Sequence, residues 1–149
     1  MNNNEGMTLI VKTVTRITVW IIFLYGLYIC FHGHLTPGGG FGGGVIIALA
    51  FLNVMIAYGR KFTNRWLNIK LLENIEASTA ALFLIVGVLG IGFGGIFLLN
   101  FINHGTVFRL WSSGIILVLN VVIGIKVGMS LFLVVWILAG FRIEKGGES

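Results

Sequence analysis

The residue that could do most chemistry here is a lysine in the middle of an apolar run. Lys126 is the thirteenth residue of the segment Gly114–Ala139. At the centre of a membrane helix a lysine costs about 2.5–3.5 kcal/mol on insertion scales, and from there its head group reaches neither surface easily. It must therefore face protein or water. Two readings stand open: a member of a proton or ion relay, or a structural lysine paired with a carboxylate or carbonyls of a partner subunit. Asn120, six residues earlier and offset on the helix, is placed to line the same hydrated face. Near the start of another apolar run, Glu73 and Glu76 sit three apart and share a helical face, with Lys70 three before Glu73. They read either as acids at the positive end of an interfacial helix start or as members of the same ion path. His34 stands beside a glycine-rich stretch and reads as a proton shuttle or as a turn histidine bonded to backbone.

Other chemistries are excluded. The chain contains no aspartate, so a Ser-His-Asp arrangement is impossible. The spacing of His32, His34 and His104 matches no established metal site. No Lys-Ser or Lys-Thr follows a glycine pair, which rules out a nucleotide-phosphate loop. No metal and no cofactor is expected in this chain.

The elements that must position these residues are membrane helices. Of the 149 residues, 57% are hydrophobic and 10% charged, against about 25% charged in a soluble domain. The polar ends and loops leave no room for a soluble catalytic domain, so the whole chain reads as one transmembrane domain. The net charge of +5 reports basic loops rather than nucleic-acid binding. Cys30, the only cysteine, lies in an apolar run and reads as a small packing residue. The first apolar segment is not expected to be a cleaved signal, because no small-x-small site follows it.

The pattern predicts four spans. A polar start, Met1–Gly6, leads into a first helix over Met7–Phe31, in which Lys12 and Arg16 share a face. A second helix covers Phe41–Tyr58, and a basic loop with the interfacial Trp66 follows. Leu67–Ser78 reads as an amphipathic lead-in to a third helix, Ala77–Leu99, and Gly114–Ala139 forms the fourth. The pairs Gly90/Gly94 and Gly124/Gly128 have the G-x-x-x-G spacing that lets helix backbones approach. These glycine faces suggest more close-packing surface than four helices can use, hence neighbouring subunits. With four spans, the side holding both termini carries Lys12, Arg16, Arg60, Lys61, Arg65, Lys70, Arg142 and Lys145, and the other side only Arg109. That bias predicts cytoplasmic termini in a multi-pass protein of the cell membrane.

The least usual stretch is His32–Gly44, H-G-H-L-T-P-G-G-G-F-G-G-G, with the only proline and no Lys, Arg, Asp or Glu from Ile17 to Gly59. The apolar run after it, Val45–Tyr58, covers roughly 21 Å, short of the ~30 Å hydrocarbon core. The second helix must therefore begin near Phe41, with glycines at membrane depth, where irregular backbone survives only inside protein or along a polar cavity. The stretch reads either as a tight turn or as a structured break. In the second case Pro37 fixes the helix start, and Gly38, Gly39, Gly40, Gly43 and Gly44 admit close backbone contact around Phe41.

The run His34–Gly44 resembles the signature of the B subunit of Mrp-type (Mnh) sodium/proton antiporters: a histidine, a short spacer, then P-G-G-G-F-x-G-G. Similar subunits recur in membrane-bound hydrogenases and related respiratory complexes. Length and helix layout agree over most of the chain. Gly42 departs from the pattern, since the family more often has a larger, commonly polar residue there. The resemblance implies an all-α membrane subunit of a cation/proton antiporter module, stand-alone or within a redox complex, with Na+ and H+ as transported ions. It implies other Mrp-type subunits, and in some complexes hydrogenase or related redox subunits, as partners beside membrane lipid. The competing readings are a small homodimeric transporter and a purely structural scaffold. The first usually needs a deep acid in its first span, and Ile17–Phe31 has none.

Overall fold

A computed structural model describes residues 7–33, 35, 37–98 and 114–145. His34, Thr36, and the segment 99–113 with His104, Arg109 and Trp111 lie outside the described residues. The described chain is helical throughout its regular elements: α1 (Leu9–Phe31), α2 (Gly39–Tyr58), α3 (Arg60–Trp66), α4 (Ile69–Gly94) and α5 (Ile115–Lys145). Four of them, all but α3, are long and apolar enough to cross a membrane. Packing runs α1 on α2, α2 on α5, and α5 on α4, so α2 and α5 form the middle of the bundle. The outer helices turn large apolar side chains outward, among them Trp20, Ile21 and Leu24 on α1 and Leu84, Ile85 and Val88 on α4.

Each break has a local cause. Gly38, at φ 104°, lets the chain turn into α2, which starts at Gly39, two residues before the expected Phe41. Most of the glycine run is thus helix, and the irregular backbone is confined to the residues before it. The 20 residues of α2 then span about 30 Å, enough to cross the hydrocarbon. At its other end Gly59, φ 84°, donates its N–H to the Met55 carbonyl at 3.0 Å. Asn68 caps α4, its Oδ1 accepting from the Leu71 N–H at 3.4 Å, and Gly95 ends it in the left-handed conformation.

One expectation is corrected. The basic segment after Gly59 is a helix, not a loop: Thr63 is fully buried and donates to the Gly59 carbonyl at 3.0 Å, which seats α3 against the bundle. The expected lead-in and third span are one unbroken helix, because no glycine or proline interrupts 69–86. The core at this end joins Leu72 to Phe132, Leu133 and Trp136, with Phe51 and Met55 packed against them. The Arg60 guanidinium lies 4.7 Å from the centre of the Trp136 ring and tethers α3 to α5.

Candidate functional site

The site is built where α4 and α5 cross. Lys126 Nζ donates to Glu76 Oε1 in an ion pair, and Ser130 Oγ donates to the same oxygen at 3.0 Å. Lys126 and Ser130 are four apart and so project from one side of α5. Both charged residues lie within candidate membrane spans. Their side chains are 40% and 28% exposed in the isolated chain. Hydrocarbon cannot cover that exposed part, so a partner subunit or a water-filled path must. One turn beyond Glu76, the Thr79 hydroxyl is turned onto backbone, donating to the carbonyls of Ile75 and Glu76 at 3.0 and 2.8 Å. The chemistry available is that of an ion pair with one extra donor. A proton or cation arriving at Glu76 competes with Lys126 for the carboxylate, and Ser130 holds the carboxylate oriented while the ammonium is released.

The other expected residues fall elsewhere. Glu73, one turn before Glu76, is exposed, and among the described residues no ion pair joins it to Lys70. Asn120 does not share a face with Lys126. It points to α2, where its Oδ1 accepts from the Gly40 N–H at 3.4 Å, and its Nδ2 lies against Gly33. The physical reason is angular: six residues turn the helix by about 240°. Because Gly38, the N-cap of α2, has no side chain to cap with, Asn120 supplies from α5 an acceptor for that orphan N–H. His34, read as a proton shuttle or a turn histidine, lies outside the described residues. Its neighbour His32 stacks on Tyr28 at 4.2 Å and donates from Nδ1 to the Tyr28 carbonyl at 3.1 Å.

The glycines form a dry seam on the opposite side of α5. A Cβ on Gly40 would overlap the Asn120 carbonyl, and one on Gly44 would sit 2.6 Å from the Gly124 carbonyl. A Cβ on Gly128 would meet Ile47 at 3.2 Å. Cys30, 3% exposed, sits where the seam meets α1: Cβ atoms on Gly43 and Gly124 would both overlap its sulfur. Gly124 and Gly128 therefore pack inside the chain, which corrects the expectation that these faces await neighbouring subunits. Gly39 adopts φ 53°. Pro37 and Phe41 are exposed beside the seam. On α4, Gly90 is buried, Gly94 closes the helix, and the ring of Phe97 folds back over Gly87.

Sequence reasoning passed over Ser130. The available signal was its i+4 spacing from Lys126, weakened because a helical serine commonly bonds its own backbone. The pairing of Glu76 with Lys126 had no signal, since it depends on the register between two helices joined by a long connection.

Residues 10–133 match the family described as a domain related to the MnhB subunit of Na+/H+ antiporter. The protein named antiporter subunit mnhB2 in Staphylococcus haemolyticus is 34% identical over 134 residues, covering 81% of this chain and 93% of that protein. An uncharacterised protein of Methanocaldococcus jannaschii is 43% identical over 108 residues, 68% of this chain but 41% of its own length. A chain in the structure of the membrane-bound sulfane sulfur reductase, an archaeal respiratory membrane complex, superposes with a TM-score of 0.73 at 35% identity. That match covers 89% of this chain and 60% of the other. The chain thus spans nearly all of the staphylococcal protein but less than two thirds of the two archaeal ones.

Proposed function

The chain belongs to the family of the MnhB subunit of Na+/H+ antiporters, a multi-pass membrane subunit of an Mrp-type module, and on that premise we propose that its Glu76–Lys126–Ser130 cluster is part of the ion path of that module. One observation carries the proposal: an acid and a base from different helices meet inside candidate membrane spans, with a hydroxyl on the shared oxygen. A pair so placed changes its state when a proton or Na+ reaches the carboxylate, as a site on a cation/proton path must. Na+ and H+ are the transported ions in this reading. Glu73, exposed one turn nearer the helix start, is the entry-side acid. Asn120 acts at one remove, by holding the start of α2, and His34 is the proton shuttle of this reading.

The partners are other Mrp-type subunits, and the exposed apolar faces of α1 and α4 suit helices of larger neighbours. Likeness to a chain of a respiratory complex supports a module coupled to redox subunits as well as a stand-alone antiporter. The termini face the cytoplasm of the cell membrane, a reading supported by the eight-to-one asymmetry of basic residues. External labelling should then reach a cysteine placed near Thr106 and miss one near Arg65; the reverse pattern refutes the orientation.

A second reading is favoured by one observation, that Lys126 finds its partner within the chain: the pair is a staple fixing α4 on α5. Substitution separates the two. Lys126→Met removes the charge, and Lys126→Arg keeps a charge that is not readily released. In the ion-path reading both variants assemble and both lose most proton-coupled cation transport. Normal transport with Arg, together with failed assembly with Met, establishes the staple instead.

A further inference from the structure

Away from the ion pair, α1, α2 and α3 enclose a groove of about 570 Å³, within the ~300–1,000 Å³ of ligand-sized sites. Its walls are almost wholly apolar: Val19, Trp20 and Phe23 on one side, Phe51 and Val54 on the other, and Phe62 and Trp66 of α3 across one end. Phe23 and Phe51 meet edge to face at 6.1 Å, and Tyr58 stacks on Phe62 at 4.8 Å, so the aromatic walls are held in place. The groove runs from the middle of the spans to the end where α3 lies, the level at which a membrane's head groups begin.

Cations gather at that end. Arg16 lines the groove itself, is exposed, and among the described residues makes no ion pair or hydrogen bond. On α3 the i,i+4 pair Phe62/Trp66 faces the groove, while the adjacent i,i+4 pair Lys61/Arg65 is exposed beside it. A short helix with aromatic residues on one side and basic residues on the next lies in the head-group layer. Neither the groove nor these cations belong to the ion pair on α4 and α5.

We propose that this groove binds an anionic diacyl phospholipid of the adjoining leaflet, one acyl chain lying along Phe23, Phe51 and Val54 and the phosphate meeting Arg16, with Lys61 and Arg65 beside it. The occupant follows from charge complementarity. An apolar slot opening at membrane depth takes an acyl chain, and an arginine at its wall flanked by two more cations selects an anionic head group over a zwitterionic one. The site would couple assembly of the subunit to the lipid composition of that leaflet.

The test uses the assembled complex reconstituted in nanodiscs that carry either phosphatidylglycerol or phosphatidylcholine with a photoactivatable acyl chain. Phosphatidylglycerol should label groove residues such as Phe51 and Val54, with phosphatidylcholine labelling them much less. Arg16→Gln should lower the phosphatidylglycerol label about fivefold, the worth of one basic residue near an anionic surface. Lys61→Gln/Arg65→Gln, on the exposed side of α3, should lower it in the same direction if Arg16→Gln disturbs folding, and Val54→Trp should remove it by filling the slot. Equal labelling by both lipids, indifferent to these basic residues, overturns the proposal in favour of ordinary boundary lipid. Absence of label at the groove in the complex overturns it in favour of a partner subunit seated there.

Discussion

Along one stripe of α5, Gly124 and Gly128 meet α2 through backbone and Asn120 through both backbone and side-chain amide; along the opposite one, Lys126 and Ser130 meet α4 through the ends of their side chains. The first seam has no room for a methyl group at Gly40 or Gly44. The second keeps its polar groups half covered. The contrast teaches how one helix can be both rigid and responsive. Contacts made by backbone atoms are short-ranged and shape-dependent, so they fix position. Contacts made by a carboxylate and an ammonium respond to any ion that enters, so they can report or relay charge. Placing the two kinds on opposite faces lets the ion pair change state without loosening the packing.

The largest effect should come from breaking the dry seam. Gly40→Val or Gly44→Val drives a side chain into main-chain atoms of α5 that cannot move aside, beyond the ~1–3 kcal/mol usual for overpacking. Little assembled complex should be recovered on a native gel; normal recovery would mean the seam is loose. Gly39→Val and Gly43→Leu should act the same way, the first through its φ of 53° and the second through Cys30.

The ionic seam should fail differently. Glu76→Gln and Lys126→Met should each leave assembly intact and lower antiport at least about tenfold, and the double variant should be little worse than either, as expected of residues acting as a unit. Additive losses would show that the two residues act separately. Ser130→Ala removes one hydrogen bond worth about 1 kcal/mol and should slow transport about fivefold with unchanged yield. Asn120→Ala removes an acceptor at the start of α2, a loss of ~1 kcal/mol by analogy with N-caps, and should lower the melting temperature of the purified complex more than its transport rate. The smallest effect sharpens the contrast. A Cβ at Gly42 meets nothing within 4 Å, so Gly42→Gln should change stability by no more than ~0.5 kcal/mol.

Much of this arrangement was legible from composition and spacing. Four apolar runs announced four spans, and Pro37 with its glycines marked the start of α2 to within two residues. Lys126 announced itself because a charge in hydrocarbon is too costly to be incidental. What was not legible lay in the relation between helices. The spacing of Gly124 and Gly128 identifies a face built for close approach but not the helix that approaches, and that helix proved to be α2 of the same chain. Asn120 and Lys126 looked like neighbours in sequence and serve different helices. The α3 segment read as a loop because five of its seven residues are charged or small and polar; Thr63, buried whole, carries the tertiary contact that overrides that preference.

The central claim is that Glu76 and Lys126 carry charge rather than merely joining two helices. Exchanging them, Glu76→Lys with Lys126→Glu, keeps an ion pair across α4 and α5 but inverts its direction along any path. Proton-coupled cation transport by the complex reconstituted in vesicles is the direct measurement. The exchanged protein should assemble as well as the parent and transport at the level of the single variants. Recovery of transport to the parental rate would contradict the claim and leave the pair as a staple.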